Sequence, residues 1–146
     1  MNFRFKQPED SPGFLLWQLT NQWQRAQRNA LAKLELTHAQ FVVLASVLWL
    51  SSQPDNIVTQ QQISAHSKID KMSMSALTKT LVQKKLLVRT AHANDGRAYS
   101  LALTEKGHKL VLKAIPIVER IDADFFTKDT TQLVQLVHNL KHLIHN

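Results

Sequence analysis

Two stretches of the 146-residue chain carry side chains whose types and spacing could do chemistry. In "KMSMSALTKTLVQKK", residues 71–85, helical spacing puts Met72, Ser73, Ala76, Lys79, Thr80 and Gln83 on one face. Met74, Leu77, Thr78 and Leu81 fall on the other, and Ser75 lies on the border. The first face is small, polar and cationic, and holds no carboxylate after Asp70. A solvated helix would usually mix in glutamate. This one can enter a groove about 12 Å wide without clash and without repelling phosphate. In "NDGRAYSLALTEKG", residues 94–107, Arg97 stands just past Gly96 with Asp95 before it. A guanidinium there can reach a narrow groove of negative potential. Asp95, which free phosphate would repel, is placed to orient it.

The location of charge supports a polyanion. The entire formal net charge of +7 sits in residues 59–113, where ten Lys/Arg face three Asp/Glu. Residues 1–58 hold five against four, and residues 114–146 three against four. Clustered cations are what counterion release from phosphate requires. The length fits one domain with a real core, and 44% hydrophobic with 20% charged residues is ordinary for a globular protein. The absence of cysteine excludes disulfides, thiolate metal sites and cysteine redox chemistry. Glycines stand only at 13, 96 and 107, so there is no phosphate-cradling loop and no G-x-S-x-G elbow. Carboxylates are few and scattered. No enzyme activity is expected. His138 and His142 have i to i+4 spacing, with His145 beyond, yet no acidic residue stands near in sequence. They read as surface residues, and neither metal nor cofactor is expected. "MNFRFKQPED" lacks a signal peptide's apolar stretch, and no run approaches the roughly 20 apolar residues of a membrane span. A cytoplasmic protein with no membrane partner is the expectation.

These groups need elements to hold them. Residues 13–34 predict a long helix, with Leu16, Leu19, Trp23, Ala26, Ala30 and Leu34 near helical spacing after Ser11-Pro12. Thr37 with Gln40 has the capping-box form and opens the apolar helix "FVVLASVLWL". Residues 51–56, "SSQPDN", predict a loop. Thr59 with Gln62 opens a short helix, a turn follows at 66–69, and Asp70 caps the next helix. "LLVRT" at 86–90 and "AYSLAL" at 98–103 predict strands joined by the tip "AHANDG"; Tyr99, Leu101 and Leu103 alternate in the second. A two-stranded ribbon is marginal alone and must pack beside the helix-turn-helix. Thr104 caps a helix over 104–126, with Leu110, Val111, Ala114, Val118, Ile121 and Phe125 on its apolar side and Pro116 expected to kink it. Residues 130–145 present the stripe Leu133, Leu136, Val137, Leu140, Leu143 and Ile144, for which a second copy is the expected cover. Twofold symmetry would then set two groove-reading helices about one DNA turn apart.

The order helix, helix, helix-turn-helix, then "KKLLVRTAHANDGRAYSLALTEKG", resembles the MarR family of winged-helix transcriptional regulators. The resemblance covers essentially the whole chain. Its most specific part is Asp95-x-Arg97 followed by Leu101-x-Leu103-Thr104 and Gly107. It implies a mainly α fold with a small β-hairpin wing: a winged helix-turn-helix with N- and C-terminal dimerisation helices. Residues 1–146 would form a single MarR-like domain, with the winged lobe at 36–103 and the dimerisation helices at 13–34 and 104–146. By position, DNA contacts fall on Ser73, Ser75, Ala76, Lys79 and Thr80 in the major groove, and on Arg97 with Asp95 in the minor groove. The resemblance further implies a homodimer intertwined through its first, fifth and sixth helices. It also implies a small aromatic or phenolic effector, for which Trp17, His38, Phe41 and His108 are the candidate contacts. Two positions depart from the family pattern: Lys85 stands where glycine usually ends the recognition helix, and Ala76 where a larger polar or basic residue is common. The function expected is a sequence-specific regulator, a repressor, bound as a homodimer to a pseudo-palindromic operator in double-stranded DNA. A nonspecific architectural DNA-binding protein is the alternative.

Overall fold

The computed structural model describes residues 2–54, 57–92 and 95–146, and at residues 92 and 95–98 the backbone alone. Along the chain run α1 (Pro12–Leu31), α2 (His38–Ser51), α3 (Gln60–Ser67), α4 (Lys71–Gln83), β1 (Leu87–His92), β2 (Asp95–Leu103), α5 (Glu105–Phe125) and α6 (Thr130–Ile144). The mainly helical winged fold expected from the sequence is the fold observed. Two compact units share these elements: Met1–Ala30 with Ile117–Asn146, and Leu31–Pro116.

Capping chemistry sets most helix starts. The Thr37 hydroxyl accepts the Gln40 N–H at 3.1 Å while the Gln40 side chain accepts the Thr37 N–H at 3.1 Å. Thr59 and Gln62 repeat the exchange at 3.0 and 3.2 Å. Each box satisfies amide donors that a bare helix start would leave orphaned. Helix ends follow another rule. Glu35, Lys68 and Lys85 all adopt left-handed backbone, with φ of 55°, 64° and 62°. Glycine usually fills such positions, and each of these residues carries roughly 1 kcal/mol of strain or more. Lys85, at the position where glycine usually ends such a helix, is thus left-handed with no glycine to ease it. The helix expected over 13–34 stops at Leu31, because Ala32–Leu34 tighten into a 3₁₀ turn closed by Glu35.

The Leu31–Pro116 unit has its core around α2, whose Phe41, Val43, Leu44 and Val47 are buried. Ile63, Met74, Leu81, Leu86, Leu87, Leu101, Val111 and Ala114 close on it, each large side chain contributing about 1.5–3 kcal/mol by leaving water. β1 and β2 pair antiparallel from Leu87↔Leu103 to Ala91↔Tyr99, then shift register between Ala91 and His92. That shift lets the ribbon run longer than the sequence suggested: Ala91, His92, Asp95 and Gly96 of the expected tip belong to the strands. Ala93 and Asn94 lie outside the described residues, as do Asp55 and Asn56 of the expected 51–56 loop. The ribbon does not stand alone. The Leu101 N–H donates to the Val58 carbonyl at 2.7 Å, and Thr59 bridges Ser100.

In the other unit, α1 and the end of α5 share a buried polar group. Gln27 is wholly buried, and its amide donates to the Val118 carbonyl at 3.2 Å and to the Asp122 carboxylate at 2.8 Å. The Trp23 indole N–H donates to the same carboxylate oxygen at 2.7 Å. Nothing in the apolar spacing of α1 marks Gln27 as a core residue. Around this polar centre the helices leave much apolar surface outside: Leu16, Trp17 and Leu19 on α1, and Leu133, Val137, Leu140 and Leu143 on α6, are exposed. α6 has no buried residue.

Candidate nucleic-acid interface

The N-terminal turn of α4 is fixed by Asp70. Its carboxylate accepts the Ser73 N–H at 2.8 Å and the Ser73 hydroxyl at 2.7 Å. The backbone N–H of Ser73, then its hydroxyl, hold this carboxyl below its ordinary value of 3.8. A carboxyl whose folded value is lowered stabilises the fold at every pH above the unfolded value, and that contribution disappears as pH falls through the folded one. Asp70→Ala should therefore be less stable than wild type at neutral pH and converge with it in strong acid. Urea unfolding curves followed from neutral to acidic pH check this; a gap that persists in acid counts against the cap.

The two faces of α4 divide as its periodicity predicts. Met74, Thr78 and Leu81 are buried. The Thr78 hydroxyl lies 2.9 Å from the Met74 carbonyl and 3.0 Å from the Gln60 side chain, fastening α4 to α3. On the outer side, Met72, Ser73, Ser75, Ala76, Lys79 and Gln83 are exposed and Thr80 is half-buried. Five of the seven DNA contacts named from the sequence, Ser73, Ser75, Ala76, Lys79 and Thr80, thus belong to one helix. Asp95 and Arg97 lie in β2, and their side chains fall outside the described residues.

Between α3, the start of α4 and the ribbon opens a cavity of about 600 Å³, lined by Gln61, Ser64, Lys71, Ser75, Arg89 and Tyr99 among others. The Arg89 guanidinium sits 5.5 Å from the centre of the Tyr99 ring, within cation–π range. Tyr99 is 47% exposed, so the alternation in β2 buries Leu101 but leaves Tyr99 as a platform for Arg89. Sequence periodicity missed Lys71 and Arg89. The available signal was a charged residue, Arg89, inside a strand otherwise read only for its apolar alternation.

The four effector candidates divide between the two units. Trp17 is 68% exposed and belongs to the Met1–Ala30 segment; His38, Phe41 and His108 belong to the other unit, where Phe41 is core and His108 is exposed. None of them lines the cavity beside α4. Among the described residues no three His, Asp or Glu side chains are grouped to hold a metal ion. No single helix among them is long and apolar enough to cross a membrane.

A helix-turn-helix whose second helix turns a polar, cationic face outward, braced by a two-stranded ribbon, defines a winged-helix DNA-binding protein. The chain belongs to the ArnR1-like winged-helix family, whose pattern matches residues 32–120, and it is a transcriptional regulator of the helix-turn-helix type. It is 41% identical over 142 residues to the uncharacterised HTH-type transcriptional regulator YdcH of Bacillus subtilis strain 168, covering 95% of this chain and 96% of the relative. Its fold matches BpsR of Bordetella bronchiseptica, solved in a study of how 6-hydroxynicotinic acid regulates that protein's DNA binding. The TM-score is 0.85 at 23% identity, over 100% of this chain and 99% of that one. It also matches a mutant of Escherichia coli MarR in complex with operator DNA, with a TM-score of 0.78 at 22% identity over 90% and 91% of the two chains. The MarR resemblance read from the sequence is borne out by these matches.

Proposed function

We propose that the protein is a repressor that binds, as a homodimer, a pseudo-palindromic operator and is released by a small aromatic or phenolic acid. The observation that carries this reading is the outer face of α4, exposed and free of carboxylate from Lys71 to Gln83. That face enters the major groove, and Arg97 reaches the neighbouring minor groove with Asp95 orienting it. Lys71 and Arg89 add cations for the phosphates between them. The apolar residues left outside on α1 and α6 are covered by a second copy, so the segments 13–34 and 104–146 dimerise and 36–103 forms the DNA-reading lobe. The effector class is supported by BpsR, whose DNA binding is regulated by 6-hydroxynicotinic acid. Trp17, His38, Phe41 and His108 are its candidate contacts. The protein works in the cytoplasm and catalyses nothing.

In vitro selection of duplexes from a random pool tests the proposal. The expected result is an inverted repeat whose half-sites are centred about one helical turn, roughly 34–36 Å, apart. Recovery of no preferred sequence would instead favour the nonspecific architectural reading.

A further inference from the structure

We infer that Met72 reads DNA sequence directly, by packing against the 5-methyl group of thymine. The inference rests on the groove docking of α4 proposed above and supplies a chemistry for its readout. Met72 lies in the first turn of α4 and is 83% exposed, the most solvated large apolar side chain among the described residues. Lys71 precedes it and Lys79 follows on the outer face, so its surroundings are complementary to a phosphate-lined groove rather than to another apolar surface. Ala76, one turn on, adds no bulk that would hold a base edge away.

The hydrogen bonds of this face narrow what else could read bases. Ser73 spends its hydroxyl proton on the Asp70 carboxylate at 2.7 Å, and Thr80 spends its own on the Ala76 carbonyl at 3.0 Å. Both donors serve the helix itself. Among the described residues, that leaves the Ser75 hydroxyl, the Gln83 amide and the Lys71 and Lys79 ammonium groups as polar readers on this side. The major groove displays one apolar group, the thymine methyl. A flexible, polarizable thioether at the leading turn of the inserted helix is suited to meet it.

The test uses the full-length protein and a duplex recovered by selection. Each thymine of the half-site is replaced in turn by deoxyuridine, which keeps every hydrogen-bonding group and removes only the methyl. Wild type should lose about fourfold in affinity at one position per half-site, the scale of one methyl group withdrawn from water. Met72→Ala should bind the thymine duplex more weakly by a similar factor and no longer distinguish the two duplexes at that position. Met72→Leu, which keeps apolar bulk, should retain the discrimination. Equal wild-type affinity for thymine and deoxyuridine at every position overturns the inference, and so does undiminished discrimination by Met72→Ala. Either result leaves the regulator reading standing. Failure of the wild type to select any sequence removes that reading, and this inference with it.

Discussion

Gly107→Ala lowers the unfolding free energy by about 2–3 kcal/mol, at the upper end of the cost of overpacking a core. A Cβ at this position would lie 2.0 Å from the Leu86 carbonyl oxygen and 2.9 Å from its carbon. Real Cβ atoms essentially never approach within 3.0 Å, so the Leu86 backbone must retreat. Leu86 has little freedom to do so. Its side chain is 1% exposed, its N–H donates to the Leu81 carbonyl at 3.0 Å, and its carbonyl accepts the Thr104 N–H at 3.1 Å. Thr104 in turn donates its hydroxyl proton to the Lys85 carbonyl at 2.7 Å and accepts the Gly107 N–H at 3.0 Å. The substitution therefore strikes the junction where α4, β1 and α5 are stitched together, and the cap of α5 goes with it. Thermal unfolding at fixed protein concentration should show a midpoint lower by roughly 5–10 °C. Gly13→Ala is the control: its new Cβ would meet nothing closer than 4.0 Å, and in a helix alanine is favoured over glycine by roughly 0.5–1 kcal/mol. An unchanged midpoint for Gly107→Ala would mean that the close approach to Leu86 is not a constraint.

The double variant Lys79→Ala with Arg97→Ala should lose operator affinity by about 2–6 kcal/mol, the sum of two groove contacts at about 1–3 kcal/mol each. The two residues stand on different elements, Lys79 on α4 and Arg97 on β2, so each single variant should lose its own share. Lys79 is exposed, so its removal should leave folding intact and isolate the binding effect. Lys79→Ala should also change the preferred base at one position, whereas Arg97→Ala should weaken selected duplexes with little change in preference outside AT-rich flanks. Fluorescence anisotropy at fixed salt measures both, since affinities for DNA compare only at equal ionic strength. Wild-type affinity in both single variants would sink the groove-docking scheme.

Much of this was legible in the residues because capping is local. Thr37 with Gln40 and Thr59 with Gln62 fix the starts of α2 and α3 through contacts three residues apart, and the sequence shows both partners. The period of α4 likewise separated Met74, Thr78 and Leu81 from the outer face. What periodicity could not show depends on contacts far along the chain. The buried Gln27 is explained by Val118 and Asp122, more than ninety positions away. Arg89 acquires its setting from Tyr99 across the ribbon, and the extra length of that ribbon comes from a register shift at Ala91 and His92. The end of α1 was overestimated because apolar spacing runs on to Leu34, while the backbone has already tightened toward the left-handed Glu35.

The bond from the Leu101 N–H to the Val58 carbonyl, with the bridge from Thr59 to Ser100, bears on how the ribbon behaves in a crowded solution. A lone hairpin offers unpaired amides and carbonyls along its outer margins, and these invite strand-by-strand stacking into aggregates. At Ser100 and Leu101 that margin is already taken by the chain's own residues 58 and 59. A foreign strand arriving there finds no vacancy, so the same short segment that leads into α3 also guards this stretch of β2 against being extended.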